Sequence, residues 1–171
     1  MSKILVVIDM QNDFITGSLG TAEAQKIVDK VADRIESFDG EVVFTMDTHA
    51  SIYLSTREGK NLPVQHCIRG SEGWRLNKKI ESLSEHRRIF EKPTFGSIEL
   101  ANYIVDGDYT EIELVGLCTD ICVISNALLL KAYLPEAKIS VNAACCAGVT
   151  PESHENALSA MKMCQIEIIE E

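Results

Sequence analysis

Apolar positions fall into six short continuous runs along the chain, separated by stretches with helical period. The runs are residues 4–8 (ILVVI), 42–46 (VVFTM), 88–91 (RIFE), 112–115 (IELV), 139–143 (ISVNA) and 166–169 (IEII). Runs this short and this rich in β-branched residues fit strands covered on both faces. Between them, Ala24, Ile27, Val28, Val31 and Ile35 repeat at helical spacing. Ile98, Ala101 and Val105 do the same behind Ser97, which predicts an N-cap. Cys122, Asn126, Leu129, Leu130 and Tyr133 form a further helical face with Thr119 as its expected cap, and His154, Leu158 and Met161 another, entered by Thr150-Pro151. A short helix is expected over 74–83.

Alternation of strand and helix predicts a mostly parallel sheet with helices on both faces. Right-handed crossovers make it an α/β doubly wound three-layer sandwich. The stretches 87–92 and 165–170 carry more charge than the other runs, as edge strands do. Third and sixth strands at the edges give the order 3-2-1-4-5-6. Neither repeat nor linker breaks the pattern, so a single domain over 1–171 is expected. The longest irregular stretch, 47–73, exceeds twenty residues, a length that is usually functional inside a compact domain.

Composition narrows the choice of partner. With 46% hydrophobic and 25% charged residues the profile is globular, and 16 Lys+Arg against 26 Asp+Glu leave a formal net charge of -10. A surface of that sign repels phosphate backbones, so neither nucleic acid nor an anionic membrane is expected as a partner. No apolar run approaches the ~20 residues of a spanning helix, and the N-terminus is too short for a signal peptide. A cytoplasmic protein is expected. Its six cysteines are therefore read as thiols, with Cys145 and Cys146 as small buried hydrophobes.

Ligands of doubly wound sheets bind beyond the carboxyl ends of the strands. Asp9 follows the first run, Asp47 and His49 the second, Lys92 the third, and the segment 116–122 (GLCTDIC) the fourth. First and fourth strands are neighbours in the expected order, so Asp9 and Cys122 meet there. A thiol near a helix start and beside an ammonium is expected to favour thiolate. A carboxylate can take the thiol proton and return it to a leaving amine, and helix-start N–H groups can hold an oxyanion. Such a set suits amide hydrolysis through a thioester. Asp47, His49 and His66 on one loop read either as a metal site, with Glu58 as a candidate fourth ligand, or as exposed polar residues. Trp74 either lids the site or staples a helix start.

Three segments then resemble one family. Residues 7–14 (VIDMQNDF), 92–97 (KPTFGS) and 115–123 (VGLCTDICV) resemble, in this order, the opening, lysine and nucleophile motifs of the isochorismatase-like cysteine hydrolases. The resemblance implies a triad of Asp9, Lys92 and Cys122. It implies an oxyanion hole from the Cys118 and Cys122 N–H groups, with a non-proline cis peptide at Leu117–Cys118. Cys118 is then a packing substitute, and Cys122 the nucleophile. Within the family the metal loop looks like that of nicotinamidases: 47–49 (DTH) matches an Asp-x-His, and 62–67 (LPVQHC) a Pro-x-His segment. A third ligand histidine common there is replaced by Ser55, and Glu58 fits a glutamate variant. The implied cofactor is one divalent ion, zinc foremost with manganese or iron as alternatives, held by Asp47, His49, Glu58 and His66. Phe14 reads either as a wall for a planar substrate ring or as ordinary core.

The expected reaction is nicotinamide and water to nicotinate and ammonia, in a homo-oligomer. A metal-independent amidohydrolase acting on a carbamoyl or ureido substrate is the alternative, disfavoured by the Asp47, His49 and His66 set. A non-catalytic nucleotide- or flavin-binding module is a third reading. It lacks a glycine-rich phosphate loop, and Asp9 and Asp13 stand where a phosphate would bind.

Overall fold

A computed structural model describes residues 2–170. Six strands form one sheet: β1 (Lys3–Ile8), β2 (Glu41–Asp47), β3 (Ile89–Lys92), β4 (Glu111–Leu117), β5 (Lys138–Ala147) and β6 (Glu167–Ile169). Every pairing is parallel and the order is β3-β2-β1-β4-β5-β6, as the charge on the third and sixth runs implied.

Strand periodicity divides the core into two layers. Ile4, Val6 and Ile8 face one side with Ile112 and Leu114. They pack against α5 (Ile98–Asp106), α6 (Ile124–Tyr133) and α7 (Pro151–Met163). Leu5 and Val7 face the other with Phe44 and Leu117. There they meet α1 (Asn12–Ile15), α2 (Ala22–Ser37) and α4 (Lys78–Ser84). Helix α2 buries Ile27, Val31 and Ile35 and is capped by Thr21, whose side chain accepts the Ala24 N–H. Each such aliphatic side chain contributes about 1.5–3 kcal/mol on burial. Ser97 caps α5 through the Leu100 N–H, and Thr150-Pro151 opens α7 with a capping box, both as expected. Among the described residues no helix is long and apolar enough to cross a membrane.

Several local expectations are corrected. The helix expected over 74–83 begins only at Lys78, because Asn77 and not Trp74 supplies the cap. The stretch 47–73 is not structureless: it holds a 3-10 turn at Tyr53–Ser55 and α3 (Arg57–Asn61). Thr119 caps nothing. The chain leaves β4 through a π-helical turn, Thr119–Val123, whose N-cap is Cys118 without a side-chain hydrogen bond. The Thr119 hydroxyl instead lies 2.7 Å from Nδ1 of His154 on α7.

One glycine positions this exit. Gly116 has φ +117 at a register shift in β4, and a Cβ there would stand 2.1 Å from the Ile8 carbonyl oxygen. Only glycine admits both the dihedral and the approach. The end of β4 thus lies directly against the residue before Asp9.

Candidate active site and metal centre

The strand ends bring four polar residues together. Asp9 leaves β1 with φ +46, and its N–H is retained by the Thr45 carbonyl at 3.2 Å. Asp47 and Lys92 end β2 and β3 opposite one another in the parallel register. Cys122 sits in the turn after β4. Lys92 and Asp9 are fully buried, and Cys122 is 5% exposed.

The Lys92 ammonium is the hub. Nζ lies 2.6 Å from Asp9 Oδ2, 3.3 Å from Cys122 Sγ, 3.7 Å from Asp47 Oδ1, and donates to the Thr94 carbonyl at 3.2 Å. Burial alone would lower its pKa, but its neighbours Asp9, Cys122 and Asp47 outweigh burial and hold it above the ordinary lysine value. Asp9 is shifted up: burial is the largest cause, and Asp47 adds to it, while Lys92 and the Thr45 hydroxyl, 2.6 Å from Oδ1, pull it down.

Cys122 differs from expectation. Burial, then the Asp9 carboxylate, raise the thiol well above its usual value, and Lys92 opposes them without prevailing. The turn is π-helical and lacks a side-chain cap, so the capped helix start expected behind the thiol is absent. The peptide Leu117–Cys118 is cis, as the resemblance implied.

Beside the triad lies a four-donor cluster. His49 Nε2 stands 2.9 Å from Asp47 Oδ2 and 3.5 Å from Glu58 Oε1; His66 Nε2 stands 3.4 and 3.8 Å from the same two atoms. The four ligand atoms lie within 4.8 Å of one another. Around a four-coordinate ion with bonds of ~2.0–2.2 Å, donors are spaced roughly 3.3–3.6 Å apart. The set therefore fits a divalent ion in spacing as well as in chemistry. His66 supports this further: its Nδ1 lies 2.8 Å from the Val64 carbonyl, and a neutral imidazole donating there presents its Nε2 lone pair to an ion in the cluster. Burial raises Asp47, but hydrogen bonds to His49 and His66, with Lys92, outweigh it and hold the carboxyl well below the usual range. Burial lowers His66, yet its hydrogen bonds to Asp47 and Val64 leave it raised.

Neighbouring side chains hold the cluster in place, Tyr53 and Gln11 among them not singled out from sequence. Tyr53 is fully buried, with its ring centroid 4.7 Å from His49 and 4.9 Å from His66, and its hydroxyl donates to the Leu62 carbonyl at 3.0 Å. Gln11 donates to the Asp47 and Trp74 carbonyls and accepts the Asp47 N–H, each at 2.8 Å. Asp13 accepts the Cys67 N–H at 2.7 Å and fixes the residue after His66. Trp74 lies in the turn ahead of α4, and its indole donates to the Thr48 hydroxyl at 2.9 Å. Phe14 packs on His66 at 5.6 Å between ring centroids. Ser55 is exposed. A cleft of about 550 Å³ opens over His49 and Glu58, with Leu62, Phe95 and Ile121 as apolar walls.

The family model for the isochorismatase domain matches residues 3–170, and the chain belongs to that family. It is similar to an isochorismatase-family protein of Bacillus subtilis, 30% identical over 93% of each chain. Among solved structures it is similar to a Pyrococcus horikoshii pyrazinamidase in complex with zinc, with TM-score 0.87 and 27% identity over all of both chains. A Bacillus subtilis nicotinamidase/pyrazinamidase superposes with TM-score 0.87 at 29% identity, covering 99% of this chain and all of that one.

Proposed function

We propose that this protein hydrolyses nicotinamide to nicotinate and ammonia through a thioester on Cys122. The single observation that carries the reading is the Lys92 ammonium set between the Asp9 carboxylate and the Cys122 thiol, 2.6 and 3.3 Å away, beside a four-donor cluster. Similarity to a pyrazinamidase and a nicotinamidase/pyrazinamidase supports the substrate class.

Asp9, raised by burial, is closer in basicity to the thiol than an ordinary carboxylate, which suits it as proton acceptor. It takes the Cys122 proton while sulfur bonds to the carboxamide carbon. Lys92 offsets the negative charge that the transfer leaves between the two. The C=O electron pair moves to oxygen, where the Cys118 and Cys122 N–H groups serve as donors. Collapse breaks the C–N bond, and Asp9 returns its proton to the departing nitrogen, which leaves as ammonia. Water then attacks the thioester, giving one proton to Asp9; the second collapse breaks the C–S bond, Asp9 returns that proton to sulfur, and the acid product ionises to the carboxylate, its proton passing to the released ammonia.

Asp47, His49, Glu58 and His66 would hold one divalent ion, with zinc favoured by the imidazole and carboxylate donors. When bound, it supplies a Lewis-acid contact for a ring nitrogen of the substrate. Phe14 and the apolar walls of the cleft would flank the ring. An ammonia-release assay over nicotinamide, pyrazinamide, ureido and carbamoyl compounds, with and without chelator, tests the reading. Release from the two aromatic amides, lost with chelator, is expected; chelator-insensitive release from ureido substrates alone would overturn it.

A further inference from the structure

Asn126 lies in α6, one turn after Cys122, and is 1% exposed. Among the described residues its side chain bonds only to backbone. Nδ2 donates to the Cys122 carbonyl at 2.8 Å and to the Phe95 carbonyl at 3.0 Å, and Oδ1 accepts the Ser97 N–H at 2.9 Å. Two carbonyls and one N–H define the amide's orientation. Turned over, it would set oxygen against both carbonyls and NH2 against an N–H.

Those bonds join two segments distant in sequence. Residues 93–97 leave β3 immediately after Lys92, and their Thr94 carbonyl accepts from Nζ at 3.2 Å. Nζ in turn donates to Cys122 Sγ at 3.3 Å. The strand fixes the Lys92 backbone, but its charge sits at the end of a flexible four-carbon stem. Thr94 steadies that end only if the loop carrying it is itself held. Asn126 holds the loop at Phe95 and Ser97 and anchors it to the carbonyl of Cys122. We propose that Asn126 is a positioning residue, which sets the Lys92 Nζ to Cys122 Sγ distance by tying the lysine loop to the nucleophile turn. The clamp itself rests on the Lys92–Cys122 contact, and its bearing on turnover rests on Cys122 as the reacting thiol.

Asn126→Thr is the informative change. A threonine hydroxyl can still bond the carbonyl four residues back within the helix but does not span to the loop. Misplacing reacting groups by about 1 Å costs on the order of 10²-fold. The variant is expected to lose roughly 10- to 100-fold in kcat with KM changed less than about threefold. Alkylation of Cys122 by iodoacetamide, read by mass spectrometry without substrate, should slow about tenfold as Lys92 ceases to favour thiolate. Thr21→Ala is the control: it removes a helix cap, on the Ala24 N–H of α2, which packs on the other face of the sheet. It should lower Tm while leaving kcat and alkylation unchanged. Retention of both rates within twofold in Asn126→Thr, or an equal loss in Thr21→Ala, would overturn the proposal. Should Asn126→Thr fail to fold, hydrogen exchange on the unaltered protein decides. A Ser97 N–H as protected as that of Leu100 supports the clamp, and one exchanging at the rate of an open loop refutes it. Amide hydrolysis surviving in Cys122→Ala, with slowed alkylation in Asn126→Thr, would instead refute the proposed reaction and leave the clamp standing.

Discussion

Thr45→Val removes one hydroxyl beneath the proposed base. Thr45 and Asp9 are both fully buried, and the hydroxyl donates to Asp9 Oδ1 at 2.6 Å. A hydrogen bond to a charged group is worth about 1.5–3 kcal/mol, and one pKa unit is about 1.4 kcal/mol. Losing it should therefore raise the Asp9 carboxyl by a further one to two units, roughly. Asp9 must be ionised to accept the thiol proton, so the acidic limb of kcat/KM against pH moves up by the same one to two units. Stability gives the second readout. A carboxyl already raised by folding favours the folded state at low pH and costs it at high pH. The variant's loss of stability is thus largest above the folded Asp9 pKa and fades as pH falls through it. Denaturant unfolding across pH, with the rate profile on the same protein, checks both. A folded Thr45→Val whose acidic limb has not moved would show that another group limits proton uptake.

Lys92→Ala should lower kcat and push the alkylation profile of Cys122 to higher pH, since Lys92 lowers the thiol's pKa in the buried site; an unmoved profile would remove Lys92 from the mechanism. His66 is raised in the metal-free protein, so its contribution to stability is present below about pH 6.5 and lost as pH rises through its raised value. An ion needs the neutral imidazole, so the rise in Tm on adding zinc should be larger at pH 8 than at pH 5.5. The double variant His49→Ala, His66→Ala should abolish that rise, and a pH-independent rise retained in the double variant would discard the site. Gly116→Ala should destabilise by several kcal/mol, more than a usual substitution, because its Cβ meets the Ile8 carbonyl at a positive φ; an unchanged midpoint in urea would contradict the close strand contact.

How legible the molecule was depends on how local each signal is. The strands read out because each is a short apolar run, and β3 and β6 betrayed their edge positions by charge. Helices α1 and α3, of four and five residues, are too short to show a period. Asp9, Lys92 and Cys122 stood at strand ends, where the architecture gathers ligands. Their supports did not stand out: Thr45, Gln11, Tyr53 and Asn126 act across 36, 36, 9 and 31 residues, distances at which sequence neighbours carry no trace. Thr119 misled for a related reason. It has the chemistry of a cap, but its hydroxyl pairs with His154, 35 residues away.

The central claim is that Cys122 carries the acyl group. Protein turning over nicotinamide is quenched in acid, and the peptide containing Cys118 and Cys122 is fragmented in a mass spectrometer. The mechanism predicts a nicotinoyl thioester on Cys122, absent in a Cys122→Ala protein that no longer releases ammonia. The same adduct on Cys118, or ammonia release surviving in Cys122→Ala, would contradict it.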